Sequence, residues 1–145
     1  MKKVLSSGNK QNYFKINYME KNVNVINWFE IPVTDFSRAK KFYETVMDMT
    51  MGEHQMGPFK MGFFPYEMGS GKLSGAIVQG EGYKPSIEGT LVYLNCNPDL
   101  SPFLNKVESA GGKIIFSKTE IAPGLGFNAM FIDTEGNKVA LHSQN

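Results

Sequence analysis

From Asn24 to Ser143 the apolar positions change period several times, and each change marks an element. "NVINWFEIPV" alternates strictly. Phe29, Ile31 and Val33 fall on one side and Trp28 and Glu30 on the other, the period of two that predicts a half-buried strand. Thr34 or Asp35 can cap a helix, Asp35 being the better acceptor for exposed backbone N–H groups. Phe36, Ala39, Phe42, Tyr43 and Val46 then recur at helical spacing and predict a helix with one apolar face against a sheet. "MTMGEHQ", "FKMGFFPY" and "LSGAIVQG" follow as three short strands punctuated by glycine and proline.

The second half repeats this order. "GTLVYLNC" reads as a strand and "PDLSPFLNKVESAGG" as a helix, capped by Asp99, tolerant of Pro102 in its first turn and ended by Gly111 and Gly112. "KIIFSKT", "GFNAMFID" and "KVALHS" are strands, with a turn from Asp133 to Gly136 before the last. An offset of 64 residues superposes Phe29 on Tyr93, Asp35 on Asp99, Phe36 on Leu100, Ser37 on Ser101 and Glu44 on Glu108. The same offset superposes Gly62 on Gly126, Phe63 on Phe127 and Ala76 on Ala140. The fold class predicted is α+β, two tandem βαβββ modules spanning 23–80 and 89–145 with a linker over 81–88. The polar residues 1–22 are expected to be a flexible tail or an edge-covering arm.

Composition narrows the chemistry. Cys96 is the only cysteine, which rules out an intrachain disulfide and a cysteine-based zinc site. The net charge is +1 with lysines scattered, so there is no electrostatic footprint for nucleic acid or an anionic membrane. No apolar run approaches the roughly 20 residues that span a bilayer. None follows the N-terminal lysines as a signal peptide would require, so the expected compartment is the cytoplasm.

Val33, Asp35, Arg38, Ala39, Phe42 and Tyr43, in "EIPVTDFSRAKKFYETVM", together with the closing "FIDTEGNKVALHS", resemble the vicinal-oxygen-chelate superfamily. That superfamily includes glyoxalase I, bleomycin-resistance proteins, extradiol dioxygenases and glyoxalase-related bacterial proteins. The resemblance runs from Asn24 to Ser143. It implies that the first and fourth strands of each module lie side by side and that the modules meet in a cleft lined by those strands. Fold alone does not assign an activity. Metalloenzymes of the superfamily set His and Glu ligands on these strands. Carried over, their positions are Trp28, Ala76, Ala140 and Val92, or Leu91 if the register slips by one. None of these side chains can bind a divalent cation, so no metal and no cofactor are expected. His54, in "GEHQ", reads as a solvated surface residue.

Strand parity then gives a predicted lining for the cleft: Trp28, Glu30, Ala76, Val78, Val92, Leu94, Cys96, Ala140 and His142. Glu30 and His142 are its ionisable groups, read as a buried pair, as ligand contacts, or as an acid and a base. Cys96 is read as a small buried hydrophobe rather than a nucleophile. Tyr83 and Lys84, in the linker, are candidate lid residues. Six of nine methionines fall between Met47 and Met68, and "MDMTM" would put three on one strand face, as core filler or interface. Three functions compete: a metal-free binder of a small apolar or aromatic molecule, a divergent enzyme of the superfamily, and a dimeric interaction protein with a filled cleft. The expected partners are a small molecule and a second copy of the chain, without nucleic acid or membrane.

Overall fold

The structure, a computed structural model, describes residues 24–145, so the predicted tail lies outside the described residues. The elements run β1 (Trp28–Pro32), α1 (Phe36–Met47), β2 (Gly52–Met56), β3 (Phe59–Phe63), β4 (Ser74–Gln79), β5 (Tyr93–Asn95), α2 (Ser101–Leu104), β6 (Lys113–Ala122), β7 (Gly126–Ile132) and β8 (Lys138–Ser143). They form two four-stranded sheets, ordered β1-β4-β3-β2 and β5-β8-β7-β6. In each, the first strand pairs in parallel with the fourth and the remaining neighbours are antiparallel. These are the two predicted βαβββ modules.

Helix α1 begins where Asp35 accepts the Arg38 N–H at 3.0 Å, satisfying a donor that the helix itself cannot. It buries Phe36, Ala39, Phe42, Tyr43 and Val46, the predicted stripe. Helix α2 is shorter than its sequence predicts. After Leu104 the bonds tighten to three-residue closures, as in Lys106 N–H to Phe103 and Val107 N–H to Leu104. Asn105 and Ser109 explain this, since short polar side chains favour local bonds over helix; the Ser109 hydroxyl bonds the Lys106 carbonyl at 3.1 Å. The N-cap position falls on Leu100, which supplies no side-chain cap, and Asp99, the predicted cap, stands one residue outside it, accepting the Ser101 N–H at 2.8 Å. The "MDMTM" run is not a strand: Met47 ends α1, Met51 is buried in the core, and β2 starts only at Gly52.

One core serves both modules. Ile31, Val33, Phe36, Phe42, Tyr43 and Ile77 share a cluster with Leu94, Cys96, Leu100, Val107, Phe131 and Leu141. Phe42 of α1 meets Phe131 of β7 at 5.7 Å between centroids. The β7–β8 turn, Asp133 to Asn137, clasps the first module. Tyr43 donates to Asp133 at 2.7 Å, and the Asn137 amide donates to the Pro32 carbonyl at 2.7 Å. Glu135 accepts from the backbone N–H of Thr34 and Asp35, from the Thr34 and Thr134 hydroxyls, and from both Nε and Nη2 of Arg38. No helix among the described residues is long and apolar enough to cross a membrane.

Candidate functional site

Each sheet turns one face to the helices and one away from them. On the first sheet, pairing places Glu30, Ala76 and Phe63 in one row and Pro32, Val78 and Met61 in the next, all on the face away from α1. Ala76 and Val78 are fully buried there, because Trp28, Phe59, Phe63 and Tyr83 pack over them. Trp28 meets Phe63 and Tyr66 edge-to-face, at 5.5 and 6.0 Å, and Tyr83 meets Phe59 at 5.4 Å. This part of the predicted cleft is therefore filled by the chain's own rings, and Val78 is covered rather than accessible.

The second sheet corrects the predicted lining. Leu94 and Cys96 belong to the helix-side core, and Val92 packs against the same cluster. Tyr93 and Asn95 are the residues in register with Ala140 and His142 on the opposite face. The reason is a single residue. Val33 N–H bonds the Val78 carbonyl at 2.9 Å and Cys96 N–H bonds the His142 carbonyl at 2.8 Å, so Val33 corresponds to Cys96. Two steps lead from Val33 to the cap Asp35, but three lead from Cys96 to Asp99, through Asn97 and Pro98. The offset of 64 that joins Asp35 to Asp99 is one too large for the strand, and a one-residue slip exchanges the faces of every side chain. Burial pushes the Cys96 thiol up to about 12, the setting of an inert core cysteine.

The open space lies along the seam between modules, where β1 and β5 are both edge strands. A slot of about 660 Å³ is bordered by Trp28, Glu30 and Pro32 on one side, by Thr90, Leu91 and Tyr93 on the other, and by Lys84 and Lys138. Val92 also borders it. Ile26, Trp28 and Leu73 also line a second hollow of about 690 Å³, together with Tyr66 and Glu67. Of the residues the structure adds, Tyr93 was hidden by the register slip and Thr90 sits in a stretch with no period. Lys84 is a predicted lid residue and does border the slot.

Glu30 is an exposed carboxylate with a fixed orientation. The Trp28 indole N–H donates to Oε1 at 3.3 Å and the Tyr83 hydroxyl donates to Oε2 at 2.5 Å. That bond to Glu30, with a smaller effect of burial, raises the Tyr83 phenol above its ordinary range. His142 is held elsewhere: its Nε2 lies 2.8 Å from the Leu125 carbonyl, which can only accept, so Nε2 carries the proton. Each of the two predicted ionisable residues thus has its own partner, and no hydrogen bond joins them. His54 lies on β2 with its ring stacked on Phe63 at 4.5 Å.

The superfamily's metal positions map onto Trp28, Ala76, Leu91 and Ala140, with Leu91 rather than Val92 following from the register. Indole and hydrocarbon side chains offer no donor to nickel, zinc or iron, so these residues do not fit a metal. Among the described residues no three His, Cys, Asp or Glu side chains converge on a common point.

Tandem βαβββ modules with a slot at their seam define a class of fold that many chemistries share. Residues 25–141 match the Glyoxalase/Bleomycin resistance protein/Dioxygenase superfamily, and the chain belongs to it. Solved structures share the fold. A glyoxalase/bleomycin resistance protein from Albidiferax ferrireducens superposes with a TM-score of 0.59 at 14% identity, over 84% of this chain and 100% of that one. A glyoxalase/bleomycin resistance protein/dioxygenase family enzyme from Burkholderia phytofirmans gives 0.59 at 16% identity, over 82% and 98%. Glyoxalase I from Zea mays gives 0.60 at 20% identity, over 81% of this chain but only 43% of the maize enzyme, so the present chain spans under half of that protein. No curated protein sequence matches the chain.

Proposed function

We propose that this protein binds a small apolar or aromatic molecule in the slot between its modules, without a metal of the superfamily type. The observation that carries this reading is the slot itself. Its volume of about 660 Å³ suits one small organic molecule, and its walls combine apolar surface with a few fixed polar groups. Hydrocarbon at the ligand positions supports a binder over a metal-dependent lyase or dioxygenase. The acid–base alternative has less support, since Glu30 and His142 are each engaged with other groups.

Trp28 is the only tryptophan and borders the slot, which gives the test a built-in reporter. Titrating a panel of small aromatic and aliphatic compounds is expected to change Trp28 emission saturably for some of them and to raise the melting temperature with ligand concentration. Elemental analysis of the purified protein is expected to find substoichiometric nickel, zinc and iron. One equivalent of any of these metals, lost when Glu30 is replaced, would overturn the reading, as would a panel that leaves both emission and melting unmoved.

A further inference from the structure

We infer that Glu30 is the selectivity element of the slot and that it selects ligands carrying a protonated amine. The inference rests on the slot being a small-molecule site and names the class of molecule it takes. A carboxylate accepts about four hydrogen bonds, and Glu30 uses one at each oxygen, from the Trp28 indole and the Tyr83 phenol. Both donors are neutral, so they orient the group without cancelling its charge. No Lys, Arg or His among the described residues comes within 4.0 Å of it, in contrast to Glu53, Asp99 and Glu135, which all have cationic partners. Glu30 itself borders the slot, whose aromatic lining is Trp28, Phe29 and Tyr93. An ammonium N–H completes this arrangement, and aromatic surface beside a carboxylate favours a cation over a neutral donor. Lys84 and Lys138 also border the slot, neither within 4.0 Å of the Glu30 carboxylate, so an anion in the slot would answer to them and a cation to Glu30.

The deciding experiment uses one aromatic body with three charges: 2-phenylethylammonium, 2-phenylethanol and phenylacetate, titrated into the full chain and followed by ¹H–¹⁵N NMR. The ammonium is expected to bind about tenfold more tightly than the alcohol, with phenylacetate weakest, and the preference should shrink as salt is added. Glu30→Gln is expected to bring the ammonium down to the affinity that the same variant shows for the alcohol. Tyr83→Phe, which frees the carboxylate to turn, should reduce the preference by about threefold. Glu30 is exposed, so the Gln variant is expected to keep the wild-type spectrum. Equal binding of all three, a preference for phenylacetate, or a preference that survives in Glu30→Gln would overturn this inference and leave the slot reading standing. If none of the three shifts a slot resonance, this inference falls, and the slot reading stands or falls with the wider panel.

Discussion

Glu135 shows how much one side chain contributes to holding these modules together. Its side chain is fully buried, and burial alone would push its carboxyl up. The Arg38 guanidinium, the Asp35 N–H and the Thr134 and Thr34 hydroxyls outweigh that and hold it at about 2. A carboxylate whose folded value is depressed contributes stability above its ordinary range near 4.5, and the contribution is lost as the pH falls toward 2. Asp99, held at about 2 chiefly by Lys118, acts in the same direction. Glu135→Gln keeps the shape but loses the charge facing Arg38 and the helix N-terminus, and is expected to cost about 2–3 kcal/mol at pH 7. In urea denaturation at stepped pH, the gap between wild type and variant should narrow from pH 5 to pH 2. A gap constant across that range would mean that Glu135 acts by packing and not by charge.

At the scale of elements, the strand and helix order was legible because each module writes its periods plainly, and β8 runs over the predicted "KVALHS". Two elements are shorter than predicted, α2 and β5, and α2 lost its margin to local bonding, which a hydrophobic period does not record. The repeat was partly misleading. Gly62 pairs with Ile77, whereas Leu141, the counterpart of Ile77, pairs with Ala129, so Gly62 and Gly126 are not equivalent. Gly62 is small because a Cβ there would meet Ile77 and Phe36. Gly126 turns at φ +80° with the Ser143 carbonyl where a Cβ would stand. Of the site, Trp28 and Glu30 were readable from the first strand, but the second strand's facing was not, since it hangs on the Asn97–Pro98 step. That facing is testable. Leu94→Asn, which puts an amide into the shared core, is expected to cost about 3 kcal/mol or more, and Tyr93→Asn under about 1 kcal/mol. Equilibrium denaturation of the pair decides it; the reverse order of costs would restore the predicted lining of Leu94 and Cys96.

At the scale of the whole molecule, the two modules are repeats in sequence but one body in energy. Each alone is roughly 60 residues, a size at which a chain buries only about 60% of its surface and is marginally stable. Their apolar residues do not form two cores: Phe42 and Tyr43 of α1 sit in a single cluster with Phe131, Val139 and Leu141. Polar contacts reinforce this, since the Asp133–Asn137 turn supplies acceptors to Tyr43, Arg38 and the start of α1, and a donor to Pro32. Separating the modules would expose that apolar interface, take the Tyr43 hydroxyl from Asp133 and leave Glu135 with only the Thr134 hydroxyl of its donors. We therefore expect one cooperative unfolding transition. Trp28 emission reports only the first module, while far-UV circular dichroism reports both, so their midpoints should coincide. In Glu135→Gln both should move down together, because weakening the clasp destabilises a shared unit. A second module that outlasts the Trp28 transition would show that the common core contributes less than the strands within each sheet. The slot at the seam would then be a hinge between separately stable halves rather than a cavity with fixed walls.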